Sequence, residues 1–291
     1  MVPKEILKKI RALEIKTRKI VQSTFSGEYH SVFKGSGISF SEVRDYQDGD
    51  DSRLIDWKVT AKMNAPYIKV FEEERELNVY LLVDLSGSGE FGSVSQTKVE
   101  VAAEIAAVLG FSAINNNDKV GLFLFSDRVE QFIPSKKGKK HVLRILRDIF
   151  YFKPESKKTS IDSVLTALNT MTKKKSIVFL ISDFMDYNYE KSMKLASRKH
   201  DLVPIVLEDP KERKLPKSGL VYLEDSETGD TFYLDTHDER VRQSYSNMRL
   251  ARQLERERFF KSIKLDSINI SLGDSYIQPL SQYFINRAKK R

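Results

Sequence analysis

The chain has 291 residues, 40% of them hydrophobic, enough for one large domain with an insertion or two modest ones. It contains no cysteine, which removes disulfides and thiolate sites, and its four histidines are too scattered for zinc-ligand spacing. A net charge of +8 is compatible with nucleic acid, an anionic surface or no specific partner.

Residues 1–24 read as an N-terminal amphipathic helix. Ile6, Ile10, Leu13, Ile20 and Val21 keep a helical period, and Lys8, Lys9, Lys16, Arg18 and Lys19 fill the other faces. Such a helix fits a peripheral membrane contact, and more commonly it packs on its own domain. Its cations leave no secretory core. No run in the chain approaches the roughly 18 apolar residues of a membrane span. The expectation is a cytoplasmic protein without a transmembrane segment.

Residues 25–77 form a region with a weaker apolar pattern, punctuated by Gly27, Gly35, Gly37 and Gly49. At its centre, Asp50, Asp51 and Asp56 interleave with Arg44, Arg53 and Lys58 around Trp57, the single tryptophan. Two readings apply: a second metal site, or a turn held by Arg–Asp pairs with Trp57 as its packing anchor. A strand-like stretch, residues 67–71, leads through Glu72, Glu73 and Glu74 to the next region.

Residues 78–89 read N-V-Y-L-L-V-D-L-S-G-S-G. The apolar run from Val79 to Val83 suits a strand buried on both faces of a parallel sheet. Asp84, Ser86 and Ser88 follow at alternate positions, and Gly87 and Gly89 let the backbone turn tightly. Open α/β sheets bind ligands beyond the carboxyl ends of their strands, and these hard oxygens suit Mg²⁺ or Mn²⁺. The plainer alternative is a helix cap or a closed turn. A dehalogenase-type phosphatase needs a carboxylate where Ser86 stands, and G-x-S-x-G is not spelled here.

Beyond this strand the pattern alternates. A helix over 98–115 precedes a strand over 118–125, a turn at Ser126, Asp127 and Arg128, and an edge strand over 129–133. A helix over 138–150 leads to a loop carrying Thr159, then a second helix with Ile161, Val164, Leu165, Leu168 and Met171 on one face. The strand over 176–183 ends in Ser182–Asp183, which sets Asp183 at the same sheet edge as Asp84. A helix over 188–199 and a strand over 202–207 follow. Residues 208–236 insert a hairpin with a polar tip at Glu227, Thr228, Gly229 and Asp230. A helix over 238–263, a strand over 264–271 and a helix over 276–289 close the chain. The predicted class is α/β: a mostly parallel sheet with helices on both faces, and a small β-rich subdomain beside it.

Asp, Ser and Ser, then Thr, then Asp is the order of the metal-ion-dependent adhesion site of von Willebrand factor A domains, which residues 78–291 resemble. The resemblance implies Ser86, Ser88 and Thr159 as direct ligands of Mg²⁺ or Mn²⁺ and Asp84 and Asp183 as groups acting through water. It also implies one position open to a carboxylate from a partner. R-x-Y-x-x-G-D-D-x-R-x-I-D-W, from Arg44 to Trp57, followed by D-x-S-x-S, is similar to a bacterial family of unknown function built on a von Willebrand A-type domain. Glu227, Thr228 and Gly229 fit that family too. Its genes commonly neighbour those of MoxR-type AAA+ ATPases, so the resemblance implies such an ATPase or its clients as partner, and gives Trp57 and its neighbours no role.

The expected function is therefore a non-enzymatic, metal-dependent interaction module. The alternative is a metal-dependent phosphoesterase or other hydrolase with Mg²⁺ at Asp84 and Asp183 or Asp127 as base. Against it, the chain lacks a phosphate-cradling G-x-x-x-x-G-K-[ST] and a nucleophile–histidine pair. Nucleic acid is not an expected partner, since interleaved aromatics are missing from the basic stretches. Lys136, Lys137, Lys139 and Lys140, Lys173 to Lys175, and Arg198, Lys199 and His200 are expected at the sheet edge away from the metal. There they form a basic face or simply serve helix C-termini.

Overall fold

The structure, a computed structural model, describes residues 4–21, 39–72, 76–92, 96–224, 227 and 229–290. Gly27, Gly35, Gly37, Glu73, Glu74 and Thr228 lie outside them. The chain divides into two units, residues 33–77 and residues 1–32 with 78–291. Helix α1, Lys4–Ile20, belongs to the larger unit.

In the smaller unit, β1 (Ser39–Asp45) pairs antiparallel with β2 (Tyr67–Glu72), and the short helix α2 (Trp57–Met63) lies between them in sequence. Each aspartate of the motif has its own task. Asp50 takes both guanidinium nitrogens of Arg44 at 2.8 Å, a charge-assisted bidentate pair that holds its carboxyl below the usual range. Asp51 pairs with Arg53 at 2.8 Å, and Asp56 caps α2 by accepting from the Lys58 and Val59 amides. The Arg–Asp turn is thus observed and the three carboxylates do not share a centre. Trp57 departs from expectation: it is 71% exposed and anchors nothing, because α2 buries no residue.

In the larger unit, β3 (Asn78–Asp84) is the central strand, with Val79, Leu81, Leu82 and Val83 fully buried. Helix α3 (Lys98–Asn115) opens on a Thr97–Glu100 capping box. Strands β4 (Lys119–Phe125) and β5 (Val129–Lys136), helices α4 (Lys139–Tyr151) and α5 (Ile161–Met171), β6 (Ile177–Ser182), α6 (Glu190–Lys199) and β7 (Asp201–Glu208) follow. Then come the four-residue α7 (Pro210–Arg213), the hairpin β8 (Leu220–Glu224) with β9 (Thr231–Asp235), the long α8 (Glu239–Ser262), β10 (Ile268–Ser271) and α9 (Ile277–Lys289). The sheet order is β10-β7-β6-β3-β4-β5, parallel except for β5. Strands β3, β4, β6 and β7 are buried almost throughout, as their continuous apolar runs require when helices cover both faces. The last strand begins at Ile268, later than expected; Lys264 takes a left-handed turn (φ 58°) after α8, and pairing with β7 starts only at Ile268 opposite Ile205.

Helix α1 turns its stripe inward: Ile10, Leu13, Thr17 and Val21 are buried. Its polar flank is tied to α3 and α4 by Lys9–Glu100 and Lys16–Glu104 at 2.7 Å and by Lys139–Glu14 at 2.5 Å. The apolar stripe that a membrane contact would use is thereby inside the protein.

The basic clusters fall where the topology puts them, with Lys173, Lys174 and Lys175 exposed. His200 is the exception. It is 2% exposed, its Nε2 lies 3.3 Å from Thr172 Oγ1, and its Nδ1 has no partner. Burial, aided by the Lys199 charge, pushes the imidazole down to about 4. Between that value and the unfolded pKa of about 6.5, only the unfolded chain takes the proton, so stability is complete above pH 6.5 and falls as pH drops toward 4. His200→Gln is expected to remove about 2 kcal/mol of this pH dependence in urea unfolding at pH 7.5 against pH 4.5.

Candidate metal centre

The carboxyl ends of β3 and β6 lie side by side, so Asp84 and the pair Ser182–Asp183 meet at one edge of the sheet. Asp84 accepts from the Ser86 amide at 2.9 Å and from the Ser182 hydroxyl at 2.6 Å. That closes the turn after β3 and leaves Ser86 Oγ and Ser88 Oγ 3.1 Å apart. Burial and the neighbouring Asp183 push Asp84 up to about 7, against the pull of Ser182 and Ser86. Asp183, although burial opposes it, is held below the usual carboxylate range by the Lys98 ammonium, and Ser88 and the Met185 amide bond to it as well. A cavity of about 10 Å³ is bounded by Asp84, Ser88, Lys98 and Asp183 among others.

Thr159 arrives on a loop stitched to the same edge. The Gly87 amide donates to the Lys157 carbonyl (2.7 Å) and the Ser160 amide to the Ser126 carbonyl (2.9 Å). Glu130 completes the seam: one of its oxygens accepts from the Ser126 hydroxyl (2.5 Å) and the amides of Glu155 and Ser156 (3.2 and 3.3 Å). The structure therefore joins Asp84, Ser86, Ser88 and Asp183 in one hydrogen-bonded group. Thr159 stands at that edge but bonds elsewhere, its hydroxyl donating to Glu227 Oε1 at 2.7 Å.

These donors fit a small hard cation. With Mg–O bonds of about 2.0–2.1 Å, neighbouring ligands of an octahedron are about 3 Å apart, which the Ser86 and Ser88 oxygens match. Among the described residues no three His, Asp or Glu side chains are grouped to hold a metal, so a site here depends on hydroxyls. One feature departs from the expected pattern. Lys98 Nζ, on the first turn of α3, reaches Asp183 Oδ2 at 2.7 Å and Glu212 Oε1 at 2.6 Å. Asp183 is already neutralised by a built-in cation and acts on the site through Ser88. Asp127, the other candidate base, pairs with Arg128 at 3.0 Å and is held below the usual range, which makes it a weak proton acceptor.

The sequence reading places none of Lys98, Glu130 and Glu212 at this edge, and it names Ser182 and Glu227 without a role in the site. The one available signal was a lysine in the first turn of a helix, where the dipole disfavours a cation unless acids answer it. The residue after Asp183 is also unusual, since Phe184 has φ 56°, a left-handed backbone rare for an aromatic. A larger cavity, about 320 Å³, lies between this 184–190 loop and α8; of the cations lining it, Arg213, Arg249 and Arg256 face Glu208 and Glu212, and Arg252 lies over the Tyr187 ring.

Fold and site edge define an α/β domain whose six-stranded sheet is parallel but for one antiparallel edge strand, with helices on both faces and a hydroxyl- and carboxylate-lined site at the carboxyl ends of its central strands. Residues 42–255 match the model of the family described as protein of unknown function DUF58, and the chain belongs to that family. It is 28% identical over 223 residues to the uncharacterized protein Rv1480 of Mycobacterium tuberculosis, covering 76% of this chain and 70% of that one. It is 30% identical over 109 residues to the uncharacterized protein YeaD of Bacillus subtilis, covering 38% and 25%. Among solved structures it is similar to the conserved hypothetical protein BatB from Bacteroides thetaiotaomicron, with a TM-score of 0.46, 17% identity, and coverage of 74% of this chain and 100% of that one. The SpRpn10 VWA domain is similar at a TM-score of 0.38 and 11% identity, covering 71% and 95%. Among the described residues no helix is long and apolar enough to cross a membrane.

Proposed function

We propose that the protein is a metal-dependent interaction module that offers a divalent cation, Mg²⁺ or Mn²⁺, to a carboxylate on a partner protein. The observation that carries this reading is the pair of serine oxygens 3.1 Å apart over Asp84. Ser86 and Ser88, with Thr159 beside them, would hold the cation as neutral ligands, and Asp84 orients the turn that carries the serines. The bound cation keeps positive charge for an incoming acid. Family context favours a MoxR-type AAA+ ATPase or its clients as that partner and a cytoplasmic adaptor role without catalysis.

Thermal and urea unfolding with MgCl₂, MnCl₂ or EDTA test the metal. At a hundredfold excess over Kd, a cation is expected to stabilise the wild type by about 2.7 kcal/mol. The double variant Ser86→Ala, Ser88→Ala should lose that gain while its stability in EDTA stays within about 1 kcal/mol of wild type. Equal stabilisation of both would remove the serines from the site. A pull-down of a MoxR-type ATPase, retained with Mg²⁺ and released by EDTA, tests the partner.

A further inference from the structure

Glu227 lies near the tip of the β8–β9 hairpin, 68 residues from Thr159 in sequence, and its carboxylate accepts the Thr159 hydroxyl at 2.7 Å. Thr159 is one of the three hydroxyls, with Ser86 and Ser88, expected to face the cation. The hairpin is anchored at its base, where Thr236 bonds to the Gly219 carbonyl through both its amide (2.8 Å) and its hydroxyl (2.7 Å). Its strands bury little: Leu220, Tyr222 and Tyr233 are 69%, 59% and 69% exposed. A two-stranded ribbon with so little buried surface is marginal alone, so a polar contact at the tip weighs heavily in where the ribbon rests. Charge points the same way. The Ser86, Ser88 and Thr159 hydroxyls are neutral and Lys98 already offsets Asp183, which leaves Asp84 to face a divalent ion. A second carboxylate would balance that ion.

We propose that Glu227 is the chain's own carboxylate ligand for the metal centre, and that the β8–β9 hairpin closes the site until a partner's acid replaces it. The proposal rests on the metal reading above and deepens it, turning an open coordination position into a guarded one. Partner binding then frees the hairpin, and its exposed Tyr222 and Tyr233 travel with it.

The test is Mn²⁺ titration of the full chain by calorimetry, with Glu227→Gln and a control on the same hairpin, Glu224→Gln. Amide hydrogen exchange over residues 220–235 is followed alongside. Glu227→Gln is expected to weaken Mn²⁺ about tenfold, and Glu224→Gln to leave it unchanged. Mn²⁺ should slow hairpin exchange in the wild type and the control and not in Glu227→Gln. If Glu227→Gln binds Mn²⁺ as tightly as wild type or tighter, Glu227 is no ligand and the proposal fails while the metal site survives. If the wild type binds no Mn²⁺, the metal reading and this proposal fall together.

Discussion

Lys98→Met is expected to cost about 3–5 kcal/mol of folding stability, because it removes one partner of a buried ion pair and strands the other. The side chains of Lys98 and Asp183 are 4% and 3% exposed, and Glu212, on the other side of the ammonium, is 17% exposed. Methionine fills the space but leaves two carboxylates facing a site that already contains Asp84. Urea unfolding at pH 7 in EDTA measures the loss. Adding Asp183→Asn to Lys98→Met should recover part of it, since the stranded charge is the larger part of the penalty. A Lys98→Met protein as stable as wild type would mean that water reaches the group and solvates it.

The second large effect belongs to Phe184. Its ring is buried, packed edge-on to Phe260 at 5.5 Å and to Tyr189 at 6.0 Å, so Phe184→Ala is expected to cost about 3–5 kcal/mol. Phe184→Gly removes even more side chain, yet it also removes the left-handed backbone penalty of roughly 1–2 kcal/mol that any Cβ incurs at φ 56°. Glycine should therefore be less damaging than alanine by about 1 kcal/mol, the reverse of their usual order. Urea unfolding of the two variants decides it. If alanine proves the milder change, the backbone at 184 relaxes once the ring is gone. Residues forced into such conformations gather at functional loops, and this one directly follows Asp183.

Much of this arrangement was legible in the chain. Val79 to Val83 and Ile177 to Ile181 are apolar without alternation, which demands cover on both faces and so a parallel sheet. Once those strands are parallel neighbours, Asp84 and Asp183 must share an edge. Asp127 and Arg128 sit in a polar turn between two apolar runs, and the antiparallel β5 follows from that. What stayed hidden depends on third partners. Lys98 resembles any solvent-facing lysine until Asp183 and Glu212 are brought to it from 85 and 114 residues away. His200 closes a basic run, but Thr172 and the start of β7 enclose it. Trp57 looked like an anchor by residue type, and a helix that buries nothing leaves it outside. Glu227 belongs to a hairpin whose tip contact no local pattern encodes.

The lodging of α1 has a consequence for synthesis. Its stripe packs on α3 and α4, the second of which ends at Tyr151, so α1 leaves the ribosome before those surfaces exist. At about 5–20 residues per second, some 130 further residues take roughly 7–26 seconds. Through that interval a basic, one-sided helix is available to chaperones or to the nearest anionic surface. Folding ends the exposure, and the same stripe becomes the seal over α3 and α4.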